Sequence, residues 1–456
     1  MSASSSSAAI PAFDRLHDLV ALARRQGADE AEVVLDHGVS LDVSCRGGVR
    51  ENLEQADGLD IGLRVFIGRR QAMVTASHLD ADSVPALVGR ALDMARVAPE
   101  NPHCGLADPE QLVGTHRPDL DMFDSVPVNV DVLTQRARQA ETAAMAVRGV
   151  TQCDKAQASW SHGVRRIVSS NGFVGEVRRS MHQLRVSAVA GIGGAMQRDY
   201  AYAQAVYGRD LERPEITGAR AGGRAMRRLG ARAVANAQLP VMLDPRVGRS
   251  LLGHLASAIN GSAVAREVSF LREAMGQPVF APSITILDDP HRARGMRSRP
   301  FDAEGLATHA MPLIEAGVLK SWMLDLASAR QLGLSPTGHA ARAAGGLPHP
   351  AASNLFIKPG VASPTDMMAD IKQGLYVTDF LGSGVDLVSG HFSQGCSGLW
   401  IENGVAAYPV EGLTIAGHLR DVFRVMQAAS DLDLRYGIDS PTLHIGTLTI
   451  AGNAAS

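Results

Sequence analysis

Histidine and cysteine are the residues of this chain with the greatest capacity for metal binding or nucleophilic chemistry. The 456 residues include 15 histidines and four cysteines. The cysteines lie far apart in sequence and form no C-x-x-C pair, so they do not predict a local zinc site. His339, His349 and His391 are able to meet in a folded chain, but their spacing is not that of a metal site. The G-x-S-x-G turn of serine hydrolases and the phosphate-binding P-loop are both absent from the sequence.

A second region with chemical potential is residues 374–419, where nine glycines interrupt short runs of strand-forming residues. Glycine permits positive φ and the close approach of another backbone. The segment therefore predicts either ordinary tight hairpins or a surface that holds an extended peptide. In the second case we expect the peptide to lie beside Gly382, Gly384, Ser393 and Gly395. Cys396 lies in the same segment, and we expect it to be a small buried thiol.

Two groups of arginines stand out. The first group has helical spacing and predicts a basic helix face that is either solvated or docked on an acidic partner. Its members are Arg220, Arg224, Arg227, Arg228 and Arg232. The second group lies in a predicted loop near Pro290 and Pro300, where guanidinium groups are either hydrated or able to bind a peptide carboxylate. Its members are Arg292, Arg294, Arg297 and Arg299.

The elements that position these residues follow from hydrophobic spacing. Apolar residues at helical spacing predict helices over residues 13–26, 81–97 and 130–147. Alternation around residues 59–67 predicts a strand with one buried face. Asn171 and Gly172 separate two strand-like runs and predict a hairpin with a type I′ turn.

The order helix, strands, helix occurs once in the first hundred residues and again between about residues 130 and 232, as though duplicated. This pattern predicts an α+β fold whose N-terminal region has two layers, with helices on an antiparallel sheet. We expect a tail at residues 1–12, an N-terminal α+β domain at 13–120, a central α+β domain at 121–236 and a β-rich domain at 237–456.

Composition narrows the function classes. The chain is 45% hydrophobic and 20% charged, with a net charge of −3, so nucleic acid is not an expected partner. No uncharged apolar run is long enough to span a bilayer, and the Ser- and Ala-rich start lacks the features of a secretory signal. Sparse, unpaired cysteines suit a reducing compartment. These observations predict a cytoplasmic protein without a membrane partner.

The glycine-rich segment also carries a family resemblance. The run VTDFLGSGVDLVSGHFSQGCSGLWIENG, followed by YPVEGLTIAGHLRDVF, resembles the TldD/PmbA family in order and spacing. Further similar segments are GLDIGLRVFIGRRQAMVTAS, LDPRVGRSLLGHLASAINGSAV and FDAEGLATHAMPLIEAGVLKSWMLDLASARQLGL. Within the family the chain is most similar to the PmbA branch, also called TldE. The resemblance implies a metallopeptidase, once described as a modulator of DNA gyrase, with a barrel- or sandwich-like C-terminal domain.

The middle segment departs from the zinc-bearing TldD branch of that family. There, a helix after Leu-Asp-Pro carries His-Glu-x-x-x-His, whereas this chain reads LLGHLASAI. In that register Gly253 and Ala258 replace the two histidines and His254 replaces the glutamate. The family's additional cysteine ligand near the C-terminus is also missing here. A catalytic zinc site needs about three protein ligands, so we expect no metal in this chain and zinc in a partner.

Three hypotheses follow from the resemblance. In the first, the chain is the zinc-free subunit of a heterodimeric metallopeptidase that processes small or unfolded polypeptides, with a TldD-like paralogue as partner, and is inactive alone. In the second, it is a non-enzymatic peptide-binding modulator that forms a homodimer. In the third, His254 belongs to a remodelled metal site; otherwise it is a packed or partner-facing histidine.

Overall fold

The computed structural model describes residues 10–382 and 384–452. Most of the predicted tail, residues 1–9, lies outside the described residues. The first helix, α1, begins at Phe13 as the spacing predicted and ends at Arg25, just before Gly27 with φ of 111°.

Each half of the N-terminal region contains a helix, three antiparallel strands and a second helix. The first copy consists of α1 (Phe13–Arg25), β1 (Glu30–Arg46), β2 (Val49–Ile67), β3 (Arg70–Ala76) and α2 (Ser83–Val97). The second copy consists of α3 (Val130–Met145), β4 (Val150–Ser169), β5 (Val174–Ala190), β6 (Gln197–Ala205) and α4 (Pro214–Arg227). The predicted repetition of helix, strands and helix is therefore present in the fold.

The two copies share one six-stranded sheet in the order β3-β2-β1-β4-β5-β6. Its central pair is β1 and β4, which run antiparallel from Glu32↔Ser169 to Cys45↔Ala156. The odd-numbered residues of β1 face the helices: Val33 and Leu35 pack with α1 and α2, and Val43 packs with α3 and α4. The even-numbered residues therefore face the other way, because side chains alternate across a strand.

The hairpin predicted at Asn171 and Gly172 is present, but the prediction of a type I′ turn is wrong. Gly172 has a φ of 97°, whereas Asn171 does not have the positive φ that a type I′ turn requires. The Gly172 amide donates to the Ser169 carbonyl, and the Ser169 amide donates to the Phe173 carbonyl. Ser170 therefore belongs to the loop, which has three residues and ends in a glycine with positive φ.

The C-terminal region begins with β7 (Ala237–Leu243) and α5 (Pro245–Ala258). Short elements follow: α6 (Gly261–Ala265), β8 (Ile286–Asp288), β9 (Met311–Glu315), β10 (Val318–Leu319), α7 (Leu326–Leu332), β11 (Ala340–Ala341), β12 (His349–Pro350), β13 (Leu355–Ile357) and α8 (Pro364–Ala369). Longer strands complete the fold: β14 (Gln373–Leu381), β15 (His391–Glu402), β16 (Val405–His418), α9 (Leu419–Val425), β17 (Gln427–Ala428), β18 (Ile438–Asp439) and β19 (Leu443–Ala451).

Five of these strands close into a barrel. The order is β16-β15-β14-β7-β19, and β19 pairs back onto β16 between Thr414↔Ala451 and Ala416↔Thr449. A second sheet, β10-β9-β8-β13-β18, packs beside the barrel around a shared apolar core. The barrel form of the expected β-rich domain is thus confirmed. No helix in the described parts of the chain is both long and apolar enough to cross a membrane.

A buried ionic cluster joins the two regions. Arg342 donates to both carboxylate oxygens of Glu32 at 2.7 and 2.8 Å, and Arg64 donates to the same carboxylate at 2.8 Å. Burial alone would raise the pKa of Glu32, but the charges and hydrogen bonds of Arg342 and Arg64 lower it to about 2. Glu32 is thus ionised at neutral pH and ties β1 to the C-terminal region.

The first arginine group does not form a simple solvated face. Arg220 and Arg224 are half-buried. Arg220 donates to Glu212 at 2.6 Å and Arg224 donates to the Tyr200 carbonyl at 3.1 Å. Arg228 lies 3.5 Å from the Asp379 carboxylate of β14. Helical spacing placed Arg220, Arg224 and Arg227 on α4 correctly, but Arg228 is the C-cap of α4 and Arg232 lies beyond it, in a β-bridge with Val410. The partners of Arg220, Arg224 and Arg228 come from the loop before α4, β6 and β14.

Candidate functional site

The candidate site consists of α5 and the neighbouring ends of β14 and β15. The chain enters α5 directly from β7, which runs parallel to β14. The Asp244 side chain accepts a hydrogen bond from the Arg246 amide at 2.9 Å, and Pro245 occupies the first turn. Both features are typical of a helix start. The Asp244 amide also donates to the Val377 carbonyl of β14 at 2.9 Å, which fixes the start of α5 to the barrel.

The rotation of α5 about its axis is set by an apolar face. Its buried residues are Val247, Gly248, Leu251, Leu252, Leu255 and Ala258. At Gly248 a side chain would collide with the Ser440 hydroxyl, so glycine permits close contact there. The opposite side of α5 is consequently left for Gly253, His254 and Ser257.

The three positions that match the His-Glu-x-x-x-His register lie in different surroundings. Gly253 is half-exposed, and a methyl group on it would meet no atom within 4 Å. His254 is half-buried, and burial lowers its pKa, which favours the neutral imidazole. Ala258 is 0% exposed and lies in the apolar core. His254 is the only side chain of the three with a donor atom for a metal.

These residues do not fit a catalytic zinc ion, which needs about three protein ligands and an open position. Within residues 10–382 and 384–452, no group of three His, Cys, Asp or Glu side chains is arranged to hold a metal ion. His339 instead lies 3.2 Å from the Asp288 carboxylate. His391 makes an edge-to-face contact with His418, with ring centroids 4.7 Å apart, and His349 is exposed on β12. The sequence left open whether His339, His349 and His391 meet, and in the described residues they do not form a metal site.

The cysteines are buried thiols. All four are free and buried, and burial raises the pKa of Cys396 to about 12. A thiol with so high a pKa carries almost no thiolate at neutral pH, and the thiolate is the nucleophilic form. This agrees with the expectation for Cys396.

The four glycine-rich positions proposed to contact peptide lie together at one end of the β14–β15 hairpin. Gly395 pairs with Leu381 of β14, and the Ser393 amide donates to the Gly384 carbonyl at 2.8 Å. A side chain on Gly384 would collide with the Ser393 carbonyl, so this close approach is between two segments of the chain itself. Gly382 differs: its φ is 74°, and a methyl group there would meet no atom within 4 Å.

Sequence reasoning missed a residue that holds this end of the hairpin together. The buried Gln394 side chain donates to the carbonyls of Leu381 and Gly382, both at 2.8 Å, and accepts from the Gly384 amide at 3.0 Å. A glutamine between Ser393 and Gly395 carries no periodic signal that would single it out. Its contacts are visible only after β14 and β15 are paired.

One side of β14 is unpaired beyond its centre. Strand β7 ends at Leu243, opposite Val377, so that in the described ladder residues 379–381 of β14 pair only with β15, and Thr378 lies at a bulge between the two registers. Arg246 of α5 donates to the Thr378 carbonyl at 2.7 and 3.0 Å. The site therefore has a short strand edge between the start of α5 and the glycine-rich turn.

The first turn of α5 carries the strongest electrostatic contacts of the site. Arg246 donates to the Asp199 carboxylate of β6 at 2.7 Å. Burial alone would lower the pKa of Arg246. The hydrogen bond and charge of Asp199 outweigh burial, so the pKa of Arg246 lies above the ordinary value for arginine. Arg249 donates to the Tyr202 hydroxyl at 2.6 Å and lies 4.3 Å over the Tyr436 ring.

Arg246, Arg249, Tyr202 and Tyr436 line a pocket of about 210 Å³ at the start of α5. Sequence reasoning missed it, although two arginines three residues apart after Asp-Pro share one face of a first helical turn.

Known proteins match this chain over most of its length. Three domain families match in order: PmbA/TldA metallopeptidase domain 1 at residues 31–95, the central domain at 123–229 and the C-terminal domain at 236–452. The chain is 34% identical over 428 residues to the metalloprotease PmbA of Escherichia coli O157:H7, covering 93% of each chain. It is 32% identical to a metalloprotease PmbA homologue of Haemophilus influenzae, covering 95% of this chain and 94% of the relative.

A more distant relative and a solved structure complete the comparison. A metalloprotease TldD homologue of Haemophilus influenzae is 31% identical over 229 residues, covering 46% of each chain. A crystal structure from Bacteroides thetaiotaomicron, of a protein proposed to modulate DNA gyrase, superposes with a TM-score of 0.89. It is 24% identical and covers 97% of this chain and 99% of that chain, which supports the fold alone. With three family domains in order and 34% identity across nearly the full length, this chain belongs to the PmbA/TldD metallopeptidase family.

Proposed function

We propose that this chain is the PmbA/TldE-like subunit of a two-subunit metallopeptidase and that a TldD-like paralogue supplies the zinc ion. The observation that carries the proposal is the donor-poor side of α5. His254 alone carries a metal-binding atom there, while Gly253 has no side chain and Ala258 is in the core. A chain of a metallopeptidase family that lacks these ligands on its own helix needs a second source of the metal.

The relatives support a pairing of this kind. The same organism, Haemophilus influenzae, has both a PmbA homologue and a TldD homologue that resemble this chain. Two paralogous proteins of one organism are suited to forming a pseudo-symmetric dimer, because paralogues inherit the contact surfaces of a symmetric ancestor. Cytoplasmic location remains a prediction from the free cysteines.

The substrates in this proposal are small or unfolded polypeptides. An extended peptide is able to add to the edge of β14 at residues 379–381 through main-chain hydrogen bonds, which do not depend on the peptide's sequence. Gly382 adjoins this edge and its Cα has open space around it. Gly384, Ser393 and Gly395 shape the adjoining turn. These four residues are the proposed peptide contacts of this subunit.

The test is peptide hydrolysis by this chain alone, by its zinc-bearing relative alone and by both mixed. We expect hydrolysis of casein or an unstructured peptide in the mixture, loss of that activity with a chelator and no turnover by this chain alone. Metal analysis of this chain should find substoichiometric zinc. Chelator-sensitive turnover by the purified chain, lost in His254→Ala, would contradict the proposal and support a remodelled metal site.

The assembly state distinguishes the remaining alternative. Size-exclusion chromatography with light scattering should show a heterodimer when the two chains are mixed. If this chain instead remains a homodimer, binds unfolded peptide and never associates with the relative, then it is a non-enzymatic peptide-binding protein.

A further inference from the structure

A cleft of about 730 Å³ separates the helix-free face of the six-stranded sheet from the C-terminal region. Strands β2, β1, β4 and β5 form its floor. Residues 296–303 and the alanines of β11, with Ala351 and Ala352, form its wall. The cleft is distinct from the α5 surface, and its volume is within the range of pockets that bind small molecules, about 300–1,000 Å³.

The floor is open because three glycines lie side by side in register. Gly38 of β1 pairs with Gly58 of β2 on one side and with Gly163 of β4 on the other. Neither Gly38 nor Gly58 has a positive φ. A methyl group on Gly58 would meet no atom within 4 Å, and one on Gly38 would come no closer than 3.8 Å. The backbone therefore does not require glycine at these two positions, and their effect is to leave space above the sheet.

One side of this floor carries Asp36 and Asp60, and arginine side chains line the other side and the wall. Arg179 of β5 is the next residue in the same register, opposite Gly163. Its guanidinium donates to the carbonyls of Met296 and Ser298 in the cleft wall. Arg299 donates to the carbonyls of Ala340 and Ala351 at 3.2 and 2.7 Å.

These arginines lack the acidic partners that others in the cleft possess. Arg165 donates to both carboxylate oxygens of Asp36 at 2.6 Å. In contrast, Arg179, Arg297 and Arg299 form no ion pair with any carboxylate of the described residues, and the buried Nε of Arg299 has no hydrogen-bond partner there.

The positive charges in the cleft repel one another. Burial, together with the charges of Arg165, Arg299 and Arg297, lowers the pKa of Arg179 to about 10. Asp288 and Asp302 attract Arg299 without forming an ion pair with it. The Asp288 carboxylate accepts hydrogen bonds from the amide and hydroxyl of Ser353, and the Asp302 carboxylate accepts from the amides of Glu304, Leu306 and Ala340. Partly buried guanidinium groups with only neutral acceptors are energetically costly unless an anion completes the site.

We propose that this cleft binds a small ligand through an oxyanion, either a carboxylate or a phosphate, held by Arg179, Arg297 and Arg299 above the glycine floor. Planar guanidinium groups match both anions and bind them with charge-assisted hydrogen bonds. The proposal goes beyond the metallopeptidase pairing and does not depend on it, because none of its residues lies on α5 or β14.

The test is calorimetric titration of the purified chain with three probes: inorganic phosphate, a short peptide with a free C-terminal carboxylate and the same peptide amidated. Binding of phosphate alone identifies a phosphate site. Binding of the free peptide but not the amidated one identifies a carboxylate site. Absence of binding by all three probes to folded protein would overturn the proposal.

Variants locate the binding. Arg297→Gln removes an exposed guanidinium and should weaken binding about tenfold or more. Gly58→Leu should abolish it by filling the floor without a clash against the protein itself. The matched control is Arg178→Gln, which removes the same charge from the other side of β5, where Arg178 pairs with Glu176 at 2.8 Å. Equal binding by Arg297→Gln and Arg178→Gln would also overturn the proposal.

Discussion

Three places where the N-terminal sheet meets the C-terminal region use arginine in two opposite ways. At the buried cluster, Arg342 and Arg64 share the Glu32 carboxylate, and at the start of α5, Arg246 binds Asp199. In the glycine-floored cleft, Arg179, Arg297 and Arg299 contact only neutral atoms or solvent. The carboxylate-paired arginines join the two regions through ion pairs. Arg179 also joins β5 to Met296 and Ser298, but only through neutral carbonyls, and the cleft arginines are the ones we propose to bind a ligand.

The largest expected effect comes from breaking the buried pair. Arg342→Met leaves the Glu32 carboxylate buried with one cation fewer, and breaking such a pair typically costs about 3–5 kcal/mol of unfolding free energy. Chemical denaturation measures this loss. The control is Arg96→Gln on the exposed Arg96–Asp93 pair, where we expect a change below about 1 kcal/mol. Equal losses in both variants would contradict the structural role of Arg342.

A direct comparison of Arg246 with Arg297 separates the two uses of arginine. Arg246→Gln removes hydrogen bonds to Asp199 and Thr378 and should lower the unfolding free energy by about 1.5–3 kcal/mol. Arg297→Gln should change it by no more than about 0.5 kcal/mol in the absence of ligand. Denaturant midpoints of the two variants and the parent test this difference. A larger loss for Arg297→Gln would mean that the cleft arginines also support the fold.

Glu304, which directly follows the cleft wall in sequence, should make stability depend on pH above about 4.5, a range in which the paired Glu32 carboxylate, with a pKa of about 2, stays ionised. Burial and the nearby charges of Asp302 and Asp325 raise the pKa of Glu304 from 4.5 to about 8. The native state therefore binds more protons than the unfolded state between these values, so this group lowers stability as pH rises from about 4.5 to 8. Glu304→Gln cannot ionise, and its melting temperature relative to the parent should rise between pH 5 and pH 9. A constant difference across that range would show that Glu304 is not protonated in the native state.

The smallest effect is expected at His254. Because it is half-buried and neutral, His254→Ala should change the unfolding free energy by only about 1 kcal/mol and leave hydrolysis by the mixed subunits unaltered. Kinetic constants of the mixture with parent and variant chains measure this. Loss of turnover without loss of association would place His254 at the reacting centre.

Local patterns in the sequence predicted local structure well. Helical spacing located α1, α2 and α3, and the Asn171-Gly172 pair located a hairpin but not its turn type, because Ser170 lengthens the loop. The family resemblance supplied the β-rich C-terminal region. The closure of the barrel depends on β19 pairing with β16, which no local pattern encodes.

The candidate sites were less predictable, because they too depend on which distant strands pair. The spacing of the middle segment placed Gly253, His254 and Ala258 on one helix, as observed. The floor of the cleft could not be foreseen, because Gly38, Gly58 and Gly163 become neighbours only when three strands adopt their register. The same applies to Arg179 and Arg299, which come from different regions of the chain.

The central ladder between β1 and β4 also has a consequence for how the protein is made. During synthesis the first three strands leave the ribosome before β4 exists, so β1 must keep a long edge unpaired until the second copy emerges. Unpaired edges invite association with other chains. A recombinant fragment that stops after α2 should therefore aggregate, whereas one that continues through α4 should remain dispersed.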